Sequence, residues 1–231
     1  MIGKKKEEEL IGALLGDGER SAELDAWLET PAGRQAHAAY GRALAALDLA
    51  LGDVPAAEPR GAVYYTTMQS PVGPLLLAAT ERGLVRVAFG GSADALRAEL
   101  ARRRVARPLV RSDDALAEPA RQLEEYFAGR RRVFDLEPDL RFATPFQRLV
   151  LGAASSIPAG AVSTYGDIAR SIGQPGASRA VGQALGHNPV PIVIPCHRVL
   201  AGGGGMGGYT GGLEIKKRLL AIEGVVGNLS F

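Results

Sequence analysis

The chain has 231 residues, enough for one large domain or two small ones. Its 46% hydrophobic and 23% charged residues, with 30 Gly and 14 Pro, give an ordinary globular balance and exclude a low-complexity chain. The net charge of +2 is uneven: residues 1–60 hold 7 basic and 11 acidic groups, residues 61–142 hold 13 and 11, and residues 143–231 hold 7 and 3. The mildly basic C-terminal third suits a polyanion, and scattered solvated charge explains it equally well.

The first residues, Met1 to Glu9, carry Lys4, Lys5 and Lys6 with no apolar stretch behind them. That is not a secretory signal. No apolar run approaches the ~18 residues that cross a bilayer. A soluble, cytoplasmic protein with no membrane partner is expected. Residues 1–53 read as helical. Leu10, Ile11, Leu14 and Leu15 recur at helical spacing. Thr30-Pro31 predicts an N-cap followed by Pro at the first helical position. A third pattern runs through Tyr40, Leu44, Leu47 and Leu51, and Val54–Gly61 reads as a linker. Residues 1–60 therefore form a helical extension without a chemical constellation, suited to packing or to contact with another protein. Trp27 and His37 within it read as structural.

Residues 61–142 change character. Val63–Met68, Leu75–Ala79 and Leu84–Phe89 predict three short strands, separated by turns at Ser70-Pro71-Val72-Gly73 and Glu81-Arg82-Gly83. The expected arrangement is an antiparallel meander. Helices follow over about 93–103 and 113–128. The runs Arg102-Arg103-Arg104 and Arg130-Arg131-Arg132 read as solvated helix ends. Tyr64, Tyr65, Phe89, Tyr126, Phe127, Phe134, Phe142 and Phe146 sit at apolar periodic positions and read as core.

In residues 143–231, Thr144-Pro145 predicts the cap of a helix reaching about Ser156. A short helix ending at Gly173, a turn with Pro175 and Gly176, and a second helix capped by Ser178 and reaching about Leu185 give a helix-turn-helix. The run from Asn188 to Ile194 then carries the chain to Pro195-Cys196-His197-Arg198-Val199. Cys196 is the sole cysteine, so an intramolecular disulfide is impossible. One thiol and three histidines make a structural zinc site improbable, and no metal is expected. The prolines predict a rigid extended segment that fixes where the thiol points. A nucleophilic thiol needs a nearby base or positive charge, and His197 and Arg198 supply both in sequence. Neighbours on an extended chain face opposite ways, so a water bridge between imidazole and thiol is as plausible as direct contact.

These residues resemble the active site of the O6-alkylguanine-DNA alkyltransferases, the methylated-DNA–protein-cysteine methyltransferases. The resemblance is carried by Asn188-Pro189-Val190-Pro191 with Pro195-Cys196-His197-Arg198-Val199. It extends to Tyr165-Gly166-Asp167-Ile168-Ala169 and Ser178-Arg179-Ala180-Val181-Gly182 upstream. Downstream it includes Tyr209-Thr210-Gly211-Gly212-Leu213 and Leu219-Leu220-Ala221-Ile222-Glu223-Gly224. It implies an α+β fold: a small antiparallel-sheet, ribonuclease H-like domain over 61–142, then a mainly helical domain over 143–231 that binds DNA and carries the chemistry.

The resemblance also implies a mechanism. A flipped O6-alkylguanine in double-stranded DNA would deliver its alkyl group to Cys196, once and irreversibly. O4-alkylthymine stays open as a second substrate. His197 would take the thiol proton through a water, and Glu223 would hold the imidazole. Tyr165 would donate to the guanine ring, the Thr210 amide would face O6, and Asn188 would act as a hinge. Arg179 would enter the stack where the base left. Ser178, Ala180, Gly182, Pro191, Val199, Tyr209 and Gly211 fall at the family's remaining DNA- or substrate-facing positions. No cofactor and a monomer are implied. Gly202–Gly207 contains G-x-G-x-x-G, but no helix follows it, so the dinucleotide context is missing. Two other classes compete. Alkyltransferase-like binding proteins lack the cysteine that is present here. A cysteine hydrolase would have no use for the helix-turn-helix.

Overall fold

Leu75–Thr80 is buried along its whole length, as expected of a strand paired on both sides and covered on both faces. In the computed structural model it is the second strand, β2. It pairs antiparallel with β1 (Val63–Met68) and β3 (Gly83–Phe89), which gives the expected meander. The structure describes residues 21–35, 61–103, 105 and 107–225. The chain divides into two units, Met1–Ala56 and Ala57–Phe231.

In the first unit, α1 spans Ala22–Leu28, and the Ser21 side chain caps it by accepting from the Leu24 amide at 3.1 Å. Leu24 is fully buried. Thr30 caps the next turn, with its Oγ1 accepting from the Gly33 amide at 3.1 Å, as the Thr30-Pro31 pair predicts. The patterns at Leu10–Leu15 and Tyr40–Leu51, and all of the linker before Gly61, lie outside the described residues.

The second unit begins with the sheet, which has four strands in the order β3-β2-β1-β4. The fourth, β4 (Leu109–Arg111), runs parallel to β1 and extends the purely antiparallel meander by one unexpected strand. Its parallel direction requires a crossover, which α2 (Ala93–Arg102) supplies. Leu96 and Leu100 of α2 sit four residues apart and pack into one cluster with Val63, Leu76, Ala78, Val85 and Val105. The expected helix over 113–128 is a 3-10 turn at Asp114–Leu116 followed by α3 (Ala117–Phe127). Gln122, Leu123 and Tyr126 form the buried face of α3. Two of the aromatic residues read as core are instead exposed: Tyr64 and Phe142. Tyr64 lies on β1, where side chains alternate across the sheet and one face meets water.

The helical half starts at α4 (Pro145–Ser155). Thr144 caps it through a 3.2 Å bond from the Gln147 amide, with Pro145 at the first helical position. A two-stranded parallel ribbon joins β5 (Ser163–Thr164) to β6 (Val199–Leu200). Next, α5 (Tyr165–Ser171) opens on a reciprocal capping box between Thr164 and Asp167. A turn leads to α6 (Ser178–Gly186), and the helix-turn-helix is present as expected. Ser178 is the first helical residue of α6 rather than its cap. Ala177 holds the cap position, and no side-chain hydroxyl bonds there. The last helix, α7 (Leu213–Ile222), ends on Glu223. Gly224 follows with φ 83°, and the amides of Gly224 and Val225 bond back to the carbonyls of Ala221 and Leu220. That left-handed cap favours glycine.

The sheet half and the helical half are bonded to each other at several points. The Val87 amide donates to Pro189 O at 2.9 Å, Arg218 donates to Pro71 O at 2.7 Å, and Arg132 donates to Ile222 O at 2.8 Å. Among the described residues, no helix is long and apolar enough to cross a membrane.

Candidate active site

The segment before Cys196 is not the uniformly extended one expected. Ile192, fully buried, adopts φ 76°, in the left-handed region where β-branched residues are rarely found. The Ile194 amide bonds back to Val190 O at 2.9 Å, and Cys196–Arg198 then form a 3-10 turn. Asn188 organises this loop. Its Oδ1 accepts from the Val190 amide at 3.0 Å, while its Nδ2 donates to Ile194 O at 2.9 Å and to Cys196 Sγ at 3.1 Å. These bonds outweigh the extended preference of the proline-rich run. In the turn, side chains do not alternate as they would on a strand.

Cys196 is 5% exposed and is a free thiol. Burial pushes its pKa up to about 11, against smaller opposing contributions from the Asn188 bond and the Lys216 charge. His197 is fully buried, and that burial lowers its pKa against the pull of Glu223. Glu223 is also buried, which by itself would raise its pKa. The bonds from His197 and Arg198 prevail and hold it at about 2. An ionised carboxylate only accepts. The 2.9 Å contact from His197 Nε2 to Glu223 Oε1 therefore assigns the proton to Nε2. Nδ1 is left as the basic nitrogen, buried and with no protein partner. Arg198 grips the same carboxylate with Nε to Oε2 and Nη2 to Oε1, both at 2.8 Å, and also donates to Ile157 O. Tyr126 Oη adds a fourth bond, to Oε1, at 2.8 Å.

Around this centre, Lys216 of α7 is buried and donates to Val199 O at 2.6 Å, to Gly208 O at 3.3 Å and to Met206 O at 2.5 Å. Burial lowers its pKa to about 8. Lys216 thus pins the glycine-rich loop 202–208 to the ribbon. Gly207 has φ 64°, and a Cβ there would lie 2.6 Å from Tyr165 Oη. That position needs glycine twice over, for its backbone and for its neighbour.

Comparisons with known proteins cover most of the second unit. Residues 63–140 match the family described as the 6-O-methylguanine DNA methyltransferase ribonuclease-like domain. Residues 145–225 match its DNA-binding domain. A methylated-DNA–protein-cysteine methyltransferase from Methanosarcina acetivorans is 43% identical over 164 residues, which are 70% of this chain and 99% of that protein. The chain belongs to the 6-O-methylguanine DNA methyltransferase family. Among solved structures, the Mycobacterium tuberculosis OGT in complex with DNA is similar, with 41% identity, a TM-score of 0.61, and coverage of 70% of this chain and 92% of that one. The O6-methylguanine-DNA methyltransferase of Pyrococcus kodakaraensis is 29% identical, with a TM-score of 0.52, and covers 70% of this chain and 99% of that chain. The α+β class expected from the sequence holds, with a ribonuclease-like half and a helical half.

In this family member, Asn188 bonds to Cys196 and Glu223 to His197, two pairs that meet on adjacent residues of the 3-10 turn. Tyr165 is half-buried at the start of α5, with Oη 3.5 Å from Gly208 O. Gly182 of α6 faces its ring, where a Cβ would sit at 3.8 Å. Tyr209 lies edge-on to His197 at 6.5 Å between ring centroids, with its hydroxyl buried and unpartnered. Thr210 is exposed, and its Oγ1 donates to Gly186 O at 2.6 Å, tying the loop to the end of α6. Gly211 lies against the Phe89 ring. Pro191 bridges to Ile194, and Val199 pairs with Ser163. Ser178, Arg179 and Ala180 open α6, with Arg179 exposed.

Sequence reasoning missed three members of the site. Arg198 was expected as a positive charge near the thiol, but it turns inward onto Glu223. Lys216 sits in the run Lys216-Lys217-Arg218, which looks like an ordinary solvated helix face. Tyr126 was read as core, which its burial supports, but its hydroxyl reaches the helical half. In the Arg102–Arg104 and Arg130–Arg132 runs, Arg103 pairs locally with Glu99 and Arg131 with Glu125, whereas Arg132 reaches Ile222 O in the helical half.

Proposed function

We propose that this chain repairs alkylated DNA by moving the alkyl group from O6-alkylguanine in a duplex onto Cys196. The observation that carries the reading is the buried thiol beside an imidazole whose Nε2 is committed to Glu223 and whose Nδ1 is left basic. Relatives named methylated-DNA–protein-cysteine methyltransferase, one similar structure bound to DNA among them, support the substrate class.

The chemistry balances as a displacement at the alkyl carbon. The sulfur–carbon bond forms, the carbon–O6 bond breaks, and the thiol proton goes to His197 Nδ1 through a bridging water. Burial keeps both thiol and imidazole neutral at rest. The thiolate–imidazolium pair is therefore needed only when a substrate is in place, and Glu223 is set to stabilise the imidazolium. Chemistry at a base atom hidden in the stack requires extrusion of the nucleotide. In this reading Tyr165 and the Thr210 amide face the flipped guanine. Asn188, Pro191, Val199, Tyr209 and Gly211 shape the pocket. Ser178, Ala180 and Gly182 let α6 approach the minor groove, and Arg179 fills the gap in the stack. A guanidinium can stack and donate hydrogen bonds to the orphaned cytosine at once. Residues 61–142 then serve as the ribonuclease-like domain, residues 143–231 as the DNA-binding and catalytic domain, and residues 1–60 as an extension that contacts another protein. A cytoplasmic monomer without a diffusible cofactor completes the reading.

Intact mass after mixing with an O6-methylguanine duplex tests it. The expected result is one methyl group gained at Cys196 and one equivalent of repaired DNA per protein, because a thioether is a poor leaving group and no second thiol exists. Multiple turnovers with unmodified protein would point to a hydrolase. Binding without mass change would leave a recognition module. Arg179→Ala should slow transfer from duplex at least about tenfold, the scale of losing one good charged contact, while leaving transfer from free O6-benzylguanine near wild type. Equal slowing on both substrates removes the intercalating role.

A further inference from the structure

We propose that Tyr126 is a positioning residue for the relay, reaching from the ribonuclease-like half to fix the carboxylate that orients His197. The inference rests on the reading of Cys196 as the alkyl acceptor and adds to it a contribution from outside the helix-turn-helix half.

Tyr126 is fully buried on α3. Its ring is held by Phe127 and Phe134, each 5.4 Å away between centroids. A phenylalanine would fill that space equally well, so the hydroxyl is the part that needs explaining. It donates to Glu223 Oε1 at 2.8 Å, the same oxygen that accepts from His197 Nε2. Burial, reinforced by the neighbouring carboxylate, raises the phenol far above its ordinary value, so it stays a neutral donor at any working pH. A neutral donor on Oε1 does two things. It fixes the rotation of the carboxylate together with Arg198, and it drains charge from the oxygen that faces the imidazole. The second effect keeps His197 from becoming too basic: a less charged acceptor stabilises the imidazolium less. His197 can then collect the thiol proton during reaction without being protonated beforehand.

Among the described residues, the other groups facing this centre are few. Glu223 and Lys216 come from α7, Cys196 and Arg198 from the 3-10 turn, Tyr209 from the loop before α7, and Arg132 from the segment after α3. Removing the Tyr126 hydroxyl changes none of their charges, whereas removing Arg198 would strand a buried carboxylate.

Tyr126→Phe and a protein carrying 3-fluorotyrosine at position 126 separate positioning from packing. The readouts are single-turnover methylation of Cys196 from an O6-methylguanine duplex between pH 5 and 9, and titration of His197 by its imidazole 15N shifts. With the hydroxyl gone, His197 should titrate higher by about half a pH unit or more. The acid limb of the methylation rate should move up with it, slowing transfer by about threefold at pH values well below the His197 titration and less above it. Fluorotyrosine, a stronger donor, should move both downward. His197 titrations that coincide in all three proteins would overturn the proposal, even if Tyr126→Phe lowers the melting temperature. If Tyr126→Phe does not fold, the fluorotyrosine protein decides alone by the same criterion. A wild type that gains no methyl group would sink the proposed function instead, and the His197 titration would still judge Tyr126.

Discussion

Glu223→Gln is expected to slow alkyl transfer by about 10²-fold or more, the usual scale for general base catalysis. Three side chains donate to this carboxylate, and an amide offers one oxygen and two hydrogens in its place. One of the donors from His197, Arg198 or Tyr126 must then face another donor. His197 loses both its fixed tautomer and the charge that stabilises its protonated form. Without an effective base, the mutant depends on thiolate formed by the solvent. Cys196 ionises at about 11, so the mutant rate should keep rising with pH across 7–10 rather than levelling near 9, where an ordinary free thiol would. The wild-type rate should be flatter. Single-turnover profiles of the two proteins decide the matter, and superimposed curves would remove Glu223 from the relay.

Stability carries a second signature of the same substitution. Breaking a buried ion pair from one side costs about 3–5 kcal/mol, here because Arg198 is left without its carboxylate. The folded pKa of Glu223, about 2, lies below its unfolded value of roughly 4.3. The carboxylate therefore contributes stability that is fully present above the unfolded value and is lost as pH falls toward 2. The melting temperatures of wild type and Glu223→Gln should differ most at neutral pH and converge between about pH 4 and 2. A constant gap over that window would mean that Glu223 is not ionised in the fold.

Cys196→Ala should abolish transfer altogether, because no other thiol exists to accept the alkyl group. DNA affinity should stay within about threefold of wild type, since phosphate contacts supply most non-specific affinity and the thiol makes none. The fold should tolerate the change. Asn188 Nδ2 keeps its bond to Ile194 O when the sulfur is removed, and its second hydrogen loses only a weak acceptor. Residual methylation anywhere on the alanine variant, seen by peptide mass mapping, would show that the acceptor is misassigned. A large loss of DNA binding would show that the loop from Asn188 to Cys196 had collapsed.

Cys196 and His197, the proposed nucleophile and base, were legible because they are neighbours in sequence, directly after a run with Pro189, Pro191 and Pro195 that rarely sits inside a strand. Glu223 lies 26 residues from His197, and only the family resemblance pointed to it. Tyr126 lies 97 residues from Glu223. Its apolar periodicity describes the ring and is silent about the hydroxyl, so a core assignment was correct and incomplete. Arg198 was read only as a charge near the thiol, because nothing local points to the carboxylate 25 residues away, and its segment closes into a 3-10 turn. Hydrogen bonds from Asn188 and the left-handed Ile192 override the local preference there, and both arise from packing rather than propensity. The strand β4 was missed for a related reason. Three residues give too short a pattern to read, and parallel pairing across a helix leaves no local turn signal. The capping residues Thr30 and Thr144 were the most legible features, because a cap is decided within four residues.

The bonds that join the two halves have a thermodynamic consequence. Tyr126 to Glu223, Arg132 to Ile222, Arg218 to Pro71 and Val87 to Pro189 all cross between the sheet half and the helical half. Two of them end on Glu223 itself or on the residue before it. Unfolding either half therefore strips partners from the other, and the two should melt as a single cooperative transition. The fraction of molecules able to react at a given temperature is then governed by the summed stability of both halves. A core lesion in the sheet, such as truncation of Leu76 or Leu100, would leave every reactive atom unchanged and still lower the yield of competent protein. Loss of repair would in that case report folding, with normal reaction rates in the molecules that remain folded.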